Sequence, residues 1–509
     1  MKLANPFFAL LLLTTPWLNP FAPGPSPAVA PLLFSWACAA ALFGIYRCTP
    51  GLVSNTAPNH RLVTITATAW LAAGLLSCVI GLFQYFGGGG SLLPWVNQAE
   101  LGQAFANLRQ RNQFASLSSI ALAALVWFAV RAPFAKHRQL LLVLAAVLLA
   151  AGNAASSSRT GLVQLFMLCA LAGVWGAWRR PLVLRVLLLS VVTYIAAALL
   201  LPWLAGLDPS LHGLAARLRT GDDACSSRIT LWSNVLHLIA QKPWLGWGWG
   251  ELDYAHYVSA YNGPRFCDIL DNAHNLPLHL AVELGVPLAV LLCGGAAWWV
   301  LRRRPWAQAD PSGQLAWSVL AIVLLHSLLE YPLWYGPFQM AVGLCVVMLW
   351  RRQPVAVSPQ PENTKNTEAK RPLRQSPYGF IAMIMLALCG YAAWDYHRIS
   401  QLYLVPESRS AAYRTDTLGK AQSSWLFASQ VQFAELLTTP LEPANAVWTF
   451  EAAGALLHYS PEPRVIEKRI EAAVLLGRDD DALMHLARYR AAFAADHARW
   501  AKASGRPGS

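Results

Sequence analysis

The sequence predicts an all-α, polytopic membrane helix bundle followed by a soluble helical domain. Of its 509 residues, 56% are hydrophobic and 13% are charged, whereas a typical soluble protein has about a quarter charged residues. The mean hydropathy is +0.38, and the apolar residues cluster in runs near the roughly 20 residues that span a bilayer. These three observations exclude an ordinary soluble protein.

About eleven membrane spans are expected, one for each apolar run. The first run is followed by the Pro-rich stretch NPFAPGPSP, which suits a cleaved signal peptide poorly, so we interpret it as a helix that stays. The runs lie at about 6–19, 29–46, 62–86, 113–131, 139–152, 160–178, 182–204, 276–300, 315–330, 336–350 and 378–394.

Basic residues fall in alternate loops between these runs, as expected if all of those loops face the cytoplasm. The loop at 205–275 is then by far the longest on the far side of the membrane, and its many Trp and Gly residues favour an ordered segment. The basic residues of the cytoplasmic loops are Arg47, Arg61, Arg131, Lys136, Arg138, Arg179, Arg180, Arg185, Arg302, Arg303, Arg304, Arg351, Arg352, Lys365, Lys370, Arg371 and Arg374.

Composition divides the chain into four parts. Residues 1–352 form the transmembrane domain, and the polar, Pro-rich residues 353–376 form a cytoplasmic linker. Residues 377–396 form the last span, and 397–509 form a helical domain on the far side of the membrane.

The C-terminal domain is expected to contain a helical hairpin. Residues 464–493 predict two amphipathic helices around Gly477, a pattern that resembles one tetratricopeptide-like hairpin. Two further helices, at about 421–437 and 444–458, are expected to stack on it.

The net charge of +13 does not indicate a nucleic-acid partner, because most basic residues flank apolar runs and no nucleic-acid motif is present. No cofactor is expected. Cys225 and Cys267 both fall in the long loop. A periplasmic location would permit a disulfide between them, although two loop cysteines need not meet.

Several arginines lie on the side of the membrane where basic residues are unusual. Each one alone is best explained as a solvated or headgroup-facing charge. That explanation suits Arg159 and Arg228 less well, because both follow serines and both adjoin apolar helical sequence. Guanidinium groups pair bidentately with phosphate oxygens, so two such arginines near one pocket suit a pyrophosphate. The others we consider for substrate binding are Arg109, Arg111 and Arg265.

His274 has three interpretations. Asn275 is a good N-cap and Pro277 suits a first helical turn, so His274 precedes a helix whose N-terminal end favours anions. It can be a structural residue, a general base for a hydroxyl nucleophile, or a metal ligand with Asp268 and Asp271. The metal interpretation is the weakest, because no second cluster completes the site.

Other polar and aromatic residues near the membrane boundary are weaker candidates. Glu330 lies where it could orient a base or bind sugar hydroxyls. Trp247 and Trp249 could stack on sugar faces or mark an interfacial segment. His279 and Glu283 are one turn apart, and a buried hydrogen-bonded pair that helps helices pack is the stronger interpretation.

Five stretches together resemble the O-antigen ligase superfamily, and within it the PglL-type bacterial O-oligosaccharyltransferases. A sixth, SPEPRVIEKRIEAAVLLGRDDDALMHLARYRAAF, is similar to their accessory C-terminal domain. The five are FANLRQRNQFAS, SSSRTGL, SSRITLWSNVLHLIAQKPWLGWGWGELDYAH, RFCDILDNAHNLPLHLAVELGVPLAVLL and EYPLWYGPFQ.

This resemblance implies a metal-independent, inverting glycosyltransferase of the bacterial inner membrane, with its active site and C-terminal domain in the periplasm. The donor would be a glycan on undecaprenyl pyrophosphate, and the acceptor a Ser or Thr of a periplasmic protein such as a pilin. By motif match, His274 corresponds to the essential histidine, and Arg159 and Arg228 to the arginines that hold the pyrophosphate.

Three other functions stay open. An O-antigen ligase would use the lipid A core as acceptor, and an O-antigen polymerase would use another lipid-linked glycan. A lipid-glycan flippase would need no catalysis, but it predicts ionisable residues threaded through several spans. The soluble domain mildly favours a protein acceptor, because it could dock one.

Overall fold

The computed structural model describes residues 4–21, 25–48, 59–131, 135–221, 225–350 and 377–503, and within these ranges every regular element is a helix. The predicted linker 353–376, like Arg351 and Arg352, lies outside the described residues. The α-helices are α1 (Ala4–Leu18), α2 (Val29–Cys48), α3 (Asn59–Tyr85), α4 (Arg111–Val130), α5 (Lys136–Ala155), α6 (Arg159–Val174), α7 (Pro181–Leu204), α8 (Gly213–Thr220), α9 (Arg228–Gln241), α10 (Leu252–Val258), α11 (Leu276–Leu284), α12 (Val286–Arg303), α13 (Pro311–Ser327), α14 (Gly336–Trp350), α15 (Pro377–Ser400), α16 (Thr417–Ala421), α17 (Ala428–Thr438), α18 (Ala446–Leu456), α19 (Pro463–Leu475), α20 (Asp479–Ala492) and α21 (Ala494–Ala503).

The predicted apolar runs all form helices. Among the described residues, α3, α4, α5, α7, α12 and α15 contain stretches long and apolar enough to cross a membrane, and α1, α2, α6 and α14 are shorter apolar helices. A multi-pass, all-helical membrane protein is therefore confirmed, while the count of eleven spans stays a prediction.

The run at 276–300 is not the continuous span that its hydropathy predicts. It breaks at Gly285, whose φ of 87° places it among conformations that favour glycine. The segment after α9 packs against the break, where the N–H of Val286 donates to the Pro243 carbonyl at 2.8 Å. A Cβ on Gly285 would lie 2.1 Å from the Trp244 carbonyl oxygen. Hydropathy cannot reveal such a break, because the hydrogen bonds that replace the helical ones come from a distant segment.

Helix α4 is the centre of the membrane bundle. It packs against α3, α5, α6 and α13, and almost all of its residues are buried. Its sequence, RNQFASLSSIALAALVWFAV, is rich in Ala and Ser, and small side chains let helices approach closely in a membrane. The N-terminal end of α4 is therefore fixed by neighbours on several sides.

The C-terminal helices pack on the long loop. Tyr257 of α10 belongs to the same buried cluster as residues of α18 to α20, and its hydroxyl lies 2.9 Å from Nδ1 of His485. Helices α19 and α20 form the predicted hairpin, which turns at Gly477 with a φ of 66°. The hairpin is confirmed, and its tetratricopeptide-like character stays a prediction.

A disulfide joins Cys225 and Cys267. It connects the segment that leads into α9 with the segment that leads to His274. The N–H of Cys267 also donates to the Cys225 carbonyl at 3.2 Å. The two parts of the long loop that carry Arg228 and His274 are thereby tied together.

Candidate active site

His274 and Glu330 are hydrogen-bonded, with Nδ1 of the imidazole 2.7 Å from Oε2 of the carboxylate. His274 precedes α11 in a left-handed conformation with a φ of 49°, which its own N–H supports by donating to Asn272 Oδ1 at 2.8 Å. Asn275 caps α11, as predicted, by accepting from the N–H of Leu278 at 3.1 Å. The turn and the cap together hold the imidazole outside the helix and against Glu330.

The other carboxylate oxygen of Glu330 binds two partners. Oε1 accepts from the guanidinium of Arg228 and, at 3.0 Å, from Nδ2 of Asn112. Ser158 donates its hydroxyl to Oδ1 of Asn112 at 2.6 Å, and the same hydroxyl oxygen accepts from the N–H of Gly161 at 3.1 Å. A single polar network therefore connects Glu330 to the first turn of α6.

Three helices that begin with an arginine converge on this network. The first residues of α4, α6 and α9 are Arg111, Arg159 and Arg228. Asn112 reaches Glu330 from α4, Ser158 joins it from the cap of α6, and Arg228 reaches it directly from α9. A cation at a helix N-terminus opposes the helix dipole by roughly 0.3–1 kcal/mol. The N-terminal end of a helix nevertheless favours an anion, and the side chain of Arg228 adds its positive charge to the network directly.

Glu330 is ionised in this environment. Its side chain is only 8% exposed. Burial, the largest single influence, raises the pKa of Glu330. However, the hydrogen bond from His274 and the charges of His274, Arg228 and His326 together outweigh burial and hold that pKa below its ordinary value. The carboxylate is therefore available to stabilise a positive charge on His274.

The geometry suits His274 to proton transfer. If Nδ1 carries the proton that Glu330 accepts, then Nε2 keeps its lone pair and can accept another proton. The side chain is 27% exposed, and the ring packs edge-on against Tyr331 with centroids 5.0 Å apart. The arrangement has the parts of a histidine base oriented by a carboxylate.

Arg265 and Arg109 are held by other parts of the chain. Arg265 donates to the carbonyls of Ser259 at 3.0 Å and His256 at 2.6 Å, and it lines a separate cavity with Asp268. Arg109 is exposed and donates to Asn97 Oδ1 at 3.3 Å. Among the described contacts, neither arginine joins the Glu330 network.

The two tryptophans differ in their surroundings. The Trp247 indole donates to the Leu238 carbonyl at 3.0 Å, and Lys242 lies 3.9 Å above its ring. Trp249 is 68% exposed. His279 and Glu283 form a buried pair on α11, before the break at Gly285, with Nε2 and Oε2 3.5 Å apart. The predicted hydrogen bond between them is wrong, because neither ring nitrogen of His279 has a hydrogen-bond partner among the described residues.

Asn112 and Ser158 are the site residues that sequence reasoning missed. Both lie inside the stretches that carry the family resemblance, and Ser158 has the sequence signal of a helix N-cap. A cap signal identifies the start of a helix, but it does not show that the capping hydroxyl also binds a residue of another helix.

Three family models match parts of the chain. Residues 104–129 match the model described as "Protein glycosylation ligase". Residues 144–293, which contain His274, match "O-Antigen ligase". Residues 314–506 match "Virulence factor membrane-bound polymerase, C-terminal".

Two curated proteins of Acinetobacter baylyi are similar to the chain. A "General O-oligosaccharyltransferase" is 26% identical over 310 residues, which cover 60% of this chain and 53% of that protein. A "ComP-specific O-oligosaccharyltransferase" is 25% identical over 248 residues, which cover 48% of this chain and 43% of that protein. The chain thus spans about half the length of the curated relatives it matches.

The matched models and relatives are described as glycosyltransferase-type enzymes, so the chain is similar to proteins of that class. More particularly, they confirm the predicted resemblance to the O-antigen ligase superfamily and to PglL-type O-oligosaccharyltransferases.

Proposed function

We propose that the chain is an O-oligosaccharyltransferase that moves a glycan from undecaprenyl pyrophosphate to Ser or Thr hydroxyls of periplasmic proteins such as pilins. The observation that carries the proposal is the His274–Glu330–Arg228 cluster at the meeting point of three arginine-led helices. It combines a base for a hydroxyl with a cationic site for a pyrophosphate, which are the two requirements of this transfer.

In the proposed reaction, His274 Nε2 accepts the proton of the acceptor hydroxyl. The hydroxyl oxygen forms a bond to the anomeric carbon as the bond from that carbon to the pyrophosphate oxygen breaks, with inversion at the carbon. Glu330 stabilises the imidazolium through Nδ1. General base catalysis of this kind contributes roughly 10²–10⁴-fold.

The leaving pyrophosphate takes the bonding electrons, so its negative charge grows. Arg159 and Arg228, at the first positions of α6 and α9, would bind that charge, and Arg111 at the start of α4 would add to the field. Cationic groups fixed before the reaction stabilise a developing charge without reorganising. Glu330 holds Arg228 in place through the carboxylate oxygen that His274 does not use.

We infer that the site faces the periplasm of the bacterial inner membrane. Basic residues in alternate loops support this orientation, and a disulfide in the long loop is typical of an oxidising compartment. A lipid pyrophosphate donor would also explain a polar site at the level of the membrane boundary.

Two related acceptors have specific support. The match to "O-Antigen ligase" over 144–293 favours transfer to the lipid A core as the second candidate. The match of 314–506 to a membrane-bound polymerase makes another lipid-linked glycan the third. The names of the two curated relatives support a protein acceptor.

The test is co-expression of the chain with a lipid-linked glycan pathway and, in separate strains, a pilin or a lipid A core acceptor. We expect glycan on the pilin, detected by intact-protein mass spectrometry, and its loss in His274→Ala. His237→Ala, which removes a half-buried histidine of the same loop, is the matched control and should transfer normally. Glycan found only on the lipid A core would mean that this core, and not a protein, is the acceptor. Glycan on neither acceptor would refute the proposal.

A further inference from the structure

The membrane part of the chain contains a groove that the reaction above does not use. It lies between α2 and α14, beside the start of α3, and has a volume of about 440 Å³. Trp36, Ala39 and Phe43 line it from α2, and Gln339, Gly343 and Val347 line it from α14. Because these positions are three or four residues apart, each helix lines the groove with one continuous stripe.

The groove is narrow at one end and open along the rest of its length. Near its Gln339 end the two helices touch, since a Cβ on Gly336 would lie 2.4 Å from Ser35 Cβ. At Gly343, two turns further along α14, an added Cβ would meet nothing within 4 Å. The helices therefore diverge from the Gly336 end toward Val347 and leave an elongated space.

The narrow end carries the polar atoms of the groove and connects to the active-site segment. The Trp36 indole donates to Gln339 Oε1 at 2.7 Å, and Gln339 Nε2 donates to the Leu333 carbonyl at 2.7 Å. Leu333 follows Glu330 by three residues in the turn between α13 and α14. Beyond this end, the named lining side chains are apolar.

We propose that this groove binds the polyisoprenoid tail of the lipid pyrophosphate donor. The inference rests on the proposed function, which places the pyrophosphate at the Glu330 cluster. The tail must leave that headgroup toward the bilayer, and the groove begins at the segment that carries Glu330. From there the groove follows α14, whose 15 residues extend about 22 Å. Along this length, a long apolar tail would leave the bulk lipid and pack against a fixed protein surface.

Filling the groove tests the proposal. Gly343→Phe places a ring in the space that is open at Gly343. Gly294→Phe is the matched control, because Gly294 of α12 is exposed and also has nothing within 4 Å of an added Cβ. The assay compares a long-chain polyprenyl pyrophosphate donor with a donor that carries the same glycan on a short prenyl chain.

We expect Gly343→Phe to raise KM for the long-chain donor by about tenfold, because the ring takes the place of roughly ten van der Waals contacts between the tail and the groove. The KM for the short-chain donor should not change, and Gly294→Phe should change neither. Unchanged kinetics with the long-chain donor, or equal losses with both donors, would overturn the proposal.

A second measurement does not depend on transfer, so it separates failure of the groove from failure of the proposed function. A photoreactive polyprenyl phosphate added to the purified protein should label residues of α2 and α14 in the wild type and in Gly294→Phe, and much less in Gly343→Phe. If a photoreactive phospholipid labelled the same residues to the same extent, the groove would be ordinary lipid-facing surface.

Discussion

Glu330 lies 2.7 Å from His274, with the carboxylate Oε2 against the imidazole Nδ1. The other oxygen of the same carboxylate binds Arg228 and Asn112. One buried side chain thus orients the candidate base and holds one of the candidate pyrophosphate ligands. This double contact makes Glu330 the residue whose substitution is most informative.

Replacing Glu330 with Gln should reduce transfer by roughly 10²–10⁴-fold, the usual contribution of general base catalysis, because an amide in place of the carboxylate that orients a histidine disables the base. The amide can present N–H groups to Nδ1, which then favours the tautomer with its proton on Nε2 and removes the base. The measurement is kcat with purified protein and donor.

Another His–Glu pair, outside the candidate site, provides the control for that substitution. Glu251 Oε2 lies 2.7 Å from Nδ1 of His458, at the contact between the long loop and the C-terminal helices. Glu251→Gln should leave kcat near the wild-type value. If Glu251→Gln lowered kcat as much as Glu330→Gln, both substitutions would be acting through folding and not through the transfer reaction.

The pH dependence of stability should show the depressed pKa of Glu330. Because that pKa lies below its ordinary value of 4.5 in the folded protein, the stabilisation from its ion pairs is fully present above about pH 4.5. It is lost as the pH falls through the lower folded-state value. The difference in thermal stability between wild type and Glu330→Gln should be constant down to about pH 4.5 and shrink below it. A difference that instead shrank between pH 7 and pH 5 would contradict the assignment.

The arginines that begin α6 and α9 should not be replaceable by lysine. Arg159→Ala and Arg228→Ala should each lower transfer by roughly 10²–10³-fold, as expected for the loss of one fixed donor to a developing charge. Lysine at either position should restore only part of the lost transfer activity, because an ammonium group cannot bind a phosphate bidentately. Arg219→Ala, which removes an exposed arginine of the same loop, should transfer normally.

The disulfide should stabilise the long loop. It closes a segment with a sequence separation of 42, for which chain entropy predicts up to about 4 kcal/mol. A Cys225→Ser/Cys267→Ser protein should show faster proteolysis in 205–275 and lower transfer, because the segments leading to Arg228 and His274 are no longer tied. Equal proteolysis rates in the wild type with and without reductant would argue against a structural role.

The sequence by itself determined the helical membrane class, the positions of the apolar helices and the cap before α11. These features depend on local composition and on spacing within one segment, which hydropathy and capping signals report directly. The same local logic identified His274, Arg159 and Arg228 as candidates, and the family resemblance selected their roles.

Only the tertiary structure decided which of these groups meet. Glu330 contacts His274 from 56 residues away and Arg228 from 102 residues away, and the Asn112 bridge to Ser158 joins two further helices. The break at Gly285 likewise depends on the segment around Trp244. Contacts between residues far apart in the chain depend on how helices pack, and no local pattern of one sequence encodes that packing.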